Sequence, residues 1–168
     1  MGEYQIGMHA FNAPKPVGGL YIVSTPIGNL ADITLRALEV LSGADMIACE
    51  DTRVTAKLLQ RYAIKARRVA YHEHNADKEG PLLLEAIRSG KVVALVSDAG
   101  SPLVSDPGYK IVQAAIEAGH RVESVPGATA AVAALQVSGL PTDQFFFAGF
   151  LPSKAGKRQS ALQALVAI

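Results

Sequence analysis

The side chains best suited to chemistry collect in five short stretches: Pro26-Ile27-Gly28-Asn29, Glu50-Asp51-Thr52-Arg53, His72-Glu73-His74-Asn75, Asp98-Ala99-Gly100-Ser101 and Pro126-Gly127-Ala128-Thr129. The fourth belongs to a longer loop that continues through Pro102, Leu103, Val104, Ser105, Asp106, Pro107 and Gly108. Nearly every residue of that loop is small, acidic or proline. The backbone can therefore approach a ligand closely while its N–H groups and two carboxylates remain free to bind. An ordinary strand-to-helix turn, with Asp106 as the helix cap and Pro107 at the first helical position, accounts for the far side of the loop. It leaves Asp98 and Gly100 without a structural duty, on the strand side where a small molecule would bind.

Several chemistries lack their signatures. There is no G-x-x-x-x-G-K-[ST] phosphate loop, and no G-x-G-x-x-G follows the first predicted strand, since Gly18-Gly19 precede it. A phosphate would also be poorly served beside Asp98 and Asp106. Acidic loops suit a ligand with cationic parts. A sulfonium carrying an α-amino group, as in S-adenosylmethionine, is such a ligand, and its carboxylate could take the N–H of Gly100 or Ser101. His72 and His74 with Glu73 resemble half of a metal site, but no third ligand stands at a recognisable spacing, so no metal is expected. No G-x-S-x-G elbow supports a serine hydrolase. Glu50 to Arg53 read equally well as a helix N-terminus with a local ion pair or as a functional cluster. Lys154, Lys157 and Arg158 read as a solvated helix face, of interest only if the substrate is polyanionic.

The elements that must position these residues follow from periodicity and punctuation. Strands are predicted at 19–24, 45–49, 68–71, 92–96, 121–125 and 144–150. Between them run helices: one capped by Asp32, with Leu35, Leu38 and Leu41 on one face, ending at Gly43; others through 57–62, 79–89 and 109–118; an Ala-rich helix to Val137; and a basic amphipathic helix over 154–168. The alternation predicts an α/β fold, a mostly parallel open sheet with helices on both faces. Each polar stretch follows a strand, so all five would open on one cleft.

At 168 residues, 49% of them hydrophobic and 18% charged, the chain has the means for one ordinary soluble domain. No apolar run nears the roughly 20 residues that cross a bilayer. The net charge of +1 offers no global basic field, so any nucleic-acid contact must come from local clusters. Cys49 is the lone cysteine, which excludes an internal disulfide and fits a reducing, cytoplasmic compartment. Residues 1–18 read as a flexible lead-in.

Taken in order, Ser24-Thr25-Pro26-Ile27-Gly28-Asn29-Leu30, Cys49-Glu50-Asp51-Thr52-Arg53, His72-Glu73-His74-Asn75, Val96-Ser97-Asp98-Ala99-Gly100-Ser101-Pro102 with Ser105-Asp106-Pro107-Gly108, Pro126-Gly127-Ala128-Thr129 and Gly149-Phe150-Leu151-Pro152 resemble the small-subunit ribosomal RNA methyltransferase I family. Those are ribose 2′-O-methyltransferases of the tetrapyrrole-methylase-like class. The resemblance implies a two-domain α/β enzyme, usually a homodimer, which takes S-adenosylmethionine as methyl donor and a decoding-region cytidine of 16S rRNA in the small ribosomal subunit as acceptor. It places Pro26, Gly28, Asp98, Ala99, Gly100, Ser101, Ala128 and Thr129 beside the cofactor. On the substrate side it places Glu50, Asp51, Arg53 and His74; the chemistry of the transfer adds the expectation that Asp51 or His74 takes a proton and Arg53 holds a phosphate. Residues 19–150 would be the N-terminal methylase domain, and 151–168 the linker and first helix of a truncated second domain. Two alternatives stay open: a tetrapyrrole C-methyltransferase on the same fold, and an inactive fragment that only binds cofactor or RNA.

Overall fold

Three apolar runs, Gly19–Val23, Met46–Cys49 and Val92–Val96, are buried throughout and form the centre of one parallel sheet, whose edge strands Arg68–Ala70 and Val122–Val125 carry exposed residues. A computed structural model describes residues 2–104 and 108–166. In chain order the strands are β1 (Gly2–Ile6), β2 (His9–Ala13), β3 (Gly19–Val23), β4 (Met46–Cys49), β5 (Arg68–Ala70), β6 (Val92–Val96) and β7 (Val122–Val125). The α-helices are α1 (Leu35–Gly43), α2 (Thr52–Arg61), α3 (Ala76–Arg88), α4 (Tyr109–Glu117), α5 (Ala130–Val137) and α6 (Ala155–Leu165). The sheet order is β5-β4-β6-β3-β7, all parallel, with Leu20 paired to Val93 on one side and to Val122 on the other.

Alternate strand residues feed two cores, as the two-residue period of a strand requires. Tyr21, Val23, Ile47, Cys49, Ala94 and Val96 pack with α1 and α2 on one face. Leu20, Ile22, Met46, Ala48, Val93 and Leu95 pack with α3 and α4 on the other. A parallel sheet covered on both faces directs all its strand C-termini to one edge, and that edge carries the polar stretches.

Four expectations need correction. The stretch read as a flexible lead-in contains a hairpin: β1 and β2 pair antiparallel around Gly7-Met8, and Tyr4 and Ala13 are buried in the first core. Gly7 has φ +62°, which suits the first position of a two-residue hairpin loop. Asp32 does not cap α1. It ends a short 3-10 turn, Leu30–Asp32, capped by Asn29, while the Thr34 hydroxyl accepts the Ala37 N–H at 3.2 Å. Leu35, in the first turn, is 62% exposed, and the buried face is Ala37, Leu38, Val40 and Leu41. Residues 144–150 form no strand. Phe145, Phe146 and Phe147 instead face Ala131, Ala134 and Leu135 of α5 across an open hollow of about 260 Å³. The run pairs with neither edge strand of the sheet, β5 or β7. Finally, α6 buries none of its residues, so it presents no core-facing side. The predicted cap by Asp106 and Pro107 lies outside the described residues.

Candidate active site

Three of the five strand ends are joined by their main chains. Thr25, after β3, and Gly100, after β6, exchange a pair of backbone hydrogen bonds: the Thr25 N–H donates to the Gly100 carbonyl at 2.9 Å, and the Gly100 N–H to the Thr25 carbonyl at 3.1 Å. The Thr25 hydroxyl donates to the Ser97 carbonyl at 3.1 Å, and the Ser97 hydroxyl to the Gly100 carbonyl at 3.0 Å. The hydroxyls of Ser24 and Ser101 lie 3.0 Å apart.

Gly100 needs to be glycine. Its φ is +84°, and a Cβ there would stand 3.4 Å from Ile27 Cγ2 and 3.8 Å from the Ala128 carbonyl oxygen. Gly127 is required for space, since its Cβ would lie 2.9 Å from that of Ser24. The loops after β3, β6 and β7 thus form one wall. Pro26 is buried and, with Thr25, Ser97 and Asp98, lines a recess of about 50 Å³. Gly28 (φ +147°) and Ala99 are exposed and do not line it, and Thr129 caps α5 by position only, with no side-chain hydrogen bond. Of the two N–H groups expected for a ligand carboxylate, Gly100 or Ser101, that of Gly100 is occupied by Thr25.

The other two strand ends meet in a wider pocket of about 470 Å³, lined by Glu50, Asp51, Thr52, Arg53, Ala70, His72, His74 and Asp98. Here side chains, rather than paired backbone, hold the geometry. Asp51 caps α2, its Oδ1 accepting the Arg53 N–H at 2.8 Å. The Arg53 guanidinium returns to the same carboxylate, Nε to Oδ1 at 3.0 Å and Nη2 to Oδ2 at 2.6 Å. Those hydrogen bonds from Arg53 hold the Asp51 carboxyl at about 2, below its ordinary 3.8. So the structural and functional readings of this cluster are not exclusive: the cap and the ion pair exist, and they stand in a pocket wall.

Asp98 links the two walls. Its Oδ1 accepts the Asp51 N–H at 3.0 Å, so the loop after β6 supports the start of α2. On the β5 side, Asn75 clips the histidine loop: its Oδ1 accepts the His72 N–H at 2.8 Å and its Nδ2 donates to the Ala70 carbonyl at 2.9 Å. The rings of His72 and His74 meet edge to face with centroids 6.0 Å apart. His72 Nδ1 is buried and, among the described residues, unpartnered, whereas His74 is exposed on the pocket side. Among the described residues no three His, Cys, Asp or Glu side chains gather as a metal site. Sequence reasoning missed the roles of Asn75 and Ser97. An Asn following a polar strand exit was the available signal for the first, because Asn side chains readily bond nearby backbone.

The family described as Tetrapyrrole (Corrin/Porphyrin) Methylases matches residues 19–167. Among curated proteins, the chain is 62% identical over 149 residues to a ribosomal RNA small subunit methyltransferase I of Mesorhizobium japonicum, covering 89% of this chain and 51% of that protein. It is 53% identical over 156 residues to the protein of the same name in Escherichia coli O157:H7, covering 93% of this chain and 54% of that one. The chain thus spans about half the length of the curated relatives it matches. Among solved structures, a uroporphyrin-III-C-methyltransferase from Thermus thermophilus superposes with a TM-score of 0.56 at 33% identity, over 74% of this chain and 53% of that one. With the family match spanning most of the chain, the chain belongs to the tetrapyrrole (corrin/porphyrin) methylase family.

Proposed function

We propose that this chain supplies the N-terminal half of an S-adenosylmethionine-dependent methyltransferase whose acceptor is a ribose 2′-hydroxyl of 16S rRNA, on a cytidine of the small subunit's decoding region. Residues 19–150 form the methylase domain, and 151–168 lead into a second one. Assembly as a homodimer in the cytoplasm belongs to the same proposal. The observation that carries it is Asp98, a carboxylate shared by a narrow recess that Thr25, Pro26, Leu30 and Leu58 also line and a wider pocket of mostly polar residues. The names of relatives at 53–62% identity favour rRNA over a tetrapyrrole acceptor, which is named in a structure at 33%.

The donor wall fits the cofactor. Asp98 offers a negative charge to a cationic ligand, and Pro26, Gly28, Ala99, Gly100, Ser101, Ala128 and Thr129, none of them bulky, would lie beside the cofactor. When bound, S-adenosylmethionine supplies an electrophilic methyl group on a sulfonium. On the acceptor wall the ribose oxygen forms a bond to carbon as the carbon–sulfur bond breaks, and its proton must leave. His74 takes that proton, because imidazole is the side chain suited to accepting one near neutrality. His74 is preferred to Asp51 because both Asp51 carboxylate oxygens are engaged by Arg53. Asp51 positions the 87% exposed Arg53 guanidinium, which takes a substrate phosphate. Glu50 lines the same pocket and orients the acceptor.

Calorimetric titration with S-adenosylmethionine tests the donor wall: saturable binding, weakened at least tenfold in Asp98→Ala, is expected. Tritiated-methyl transfer to 16S rRNA in under-methylated small subunits, lost in His74→Ala, tests the acceptor wall. Equal donor affinity in the Asp98 variant, or transfer to a porphyrinogen in place of rRNA, overturns the assignment.

A further inference from the structure

Between Thr52 and His72 the sequence holds six basic residues, Arg53, Lys57, Arg61, Lys65, Arg67 and Arg68, and no acidic one. Outside it the chain carries ten basic and fifteen acidic residues, so this segment departs from a net acidic background. All six are exposed. Arg53 is paired with Asp51, and among the described residues the other five enter no ion pair. We infer that this basic face is the track on which the RNA strand flanking the acceptor nucleotide lies, an inference that rests on the RNA reading above.

The fold gives the charges a direction. Arg53, Lys57 and Arg61 are four residues apart, so they rise on one side of α2 at about 6 Å intervals. The opposite side of the helix, Thr55, Leu58 and Leu59, is buried against the sheet. The stripe starts at Arg53 in the wall of the acceptor pocket and leads away from it. Beyond the helix it continues through Lys65 and Arg67 to Arg68, at the start of β5, the edge strand of the sheet.

The track is also firmly mounted. Tyr62, just after α2, accepts the Gln5 N–H from the hairpin at 2.8 Å and donates its hydroxyl to the Leu30 carbonyl at 2.6 Å. The Arg61 guanidinium lies 5.8 Å above the Tyr62 ring. Five uncompensated cations in a fixed row suit a polyanion with regularly spaced charges, and the row's start beside the acceptor pocket selects a nucleic-acid strand over a free phosphate or a membrane surface. The second basic group, Lys154, Lys157 and Arg158, sits on α6, which buries nothing and does not line the pocket, so it provides a control.

The test is fluorescence anisotropy of a fluorescein-labelled 20-nucleotide single-stranded RNA with the 168-residue chain, between 50 and 200 mM KCl. The variants are the triple Lys57→Gln, Arg61→Gln, Arg67→Gln and the triple Lys154→Gln, Lys157→Gln, Arg158→Gln, with circular dichroism to verify the fold. For single strands each phosphate contact contributes about 0.7 to the slope of log K against log salt. The first triple should therefore flatten that slope by about 2 and weaken binding roughly 100-fold at 0.1 M salt. The second should stay within about twofold of the parent, as expected for charges that touch no phosphate. Unchanged RNA binding in the first triple, equal loss in the second, or tight binding to phosphatidylserine vesicles that RNA does not displace overturns the track. Titrating the first triple with S-adenosylmethionine separates the two failures: a lost RNA effect with donor binding intact removes the track alone, and methyl transfer to a porphyrinogen removes the RNA reading itself.

Discussion

The two walls of the cleft are built by different means. The donor wall is joined by main-chain bonds between Thr25 and Gly100, and by glycines that let three loops touch. The acceptor wall depends on side chains: Asp98 on the Asp51 N–H, Asp51 on α2 and Arg53, and Asn75 on the histidine loop. Backbone pairing is indifferent to side-chain identity, provided that no Cβ intrudes. Side-chain clips fail one at a time and respond to pH. The donor wall should therefore break globally at its glycines, and the acceptor wall locally and at each polar residue.

The largest effect expected is for Gly127→Ala. Its new Cβ, 2.9 Å from that of Ser24, forces the loops after β3 and β7 apart. Overpacking of this kind costs about 2 kcal/mol, and the thermal midpoint should fall by roughly 6 °C. Differential scanning calorimetry measures it, and an unchanged midpoint would show that the loops are not held in contact. Asn75→Ala comes next. It removes the acceptor for the His72 N–H and the donor to the Ala70 carbonyl, at about 1 kcal/mol. Hydrogen exchange should report faster exchange at the His72 amide while the strand amides stay protected. Loss of protection across β4 and β6 as well would erase the contrast between the walls.

The same contrast explains what could be read from sequence. Strands such as Val92–Val96, buried on both faces, announce themselves as unbroken apolar runs, and the polar stretches after them mark the cleft edge. The hairpin was missed because β2 buries only Ala13, so its residues show no alternation, and Gly7 alone signalled the turn. Residues 144–150 read as a strand and form none: strand propensity does not say whether an apolar run will join a sheet or pack its side chains elsewhere, here against α5. Within the site, residue types located both walls, but not the bonds between them. That the Gly100 N–H answers Thr25, or that Asp98 answers Asp51, depends on strand order, which local pattern does not encode.

The smallest structural effect, and the sharpest on the acceptor wall, is expected for Arg53→Gln. The guanidinium is 87% exposed, so folding should be little changed. The Asp51 carboxyl, held at about 2, should rise toward its ordinary 3.8 as the largest cause of its depression is removed. It should stop short of that value, because the backbone N–H of residue 53 still caps it. The sign follows from linkage. A carboxyl lowered in the folded state adds stability above its unfolded value and loses it as pH falls toward 2, so the variant should lose its acid-range contribution at higher pH than the parent. Carboxyl carbon shifts followed by NMR between pH 1.5 and 6 read the midpoint directly. At neutral pH Asp51 is ionised in both proteins, so a defect in methyl transfer there reflects the missing guanidinium and not a changed base. It should raise KM for RNA with kcat nearly kept, whereas a fall in kcat alone would return Asp51 and Arg53 to the reacting atoms.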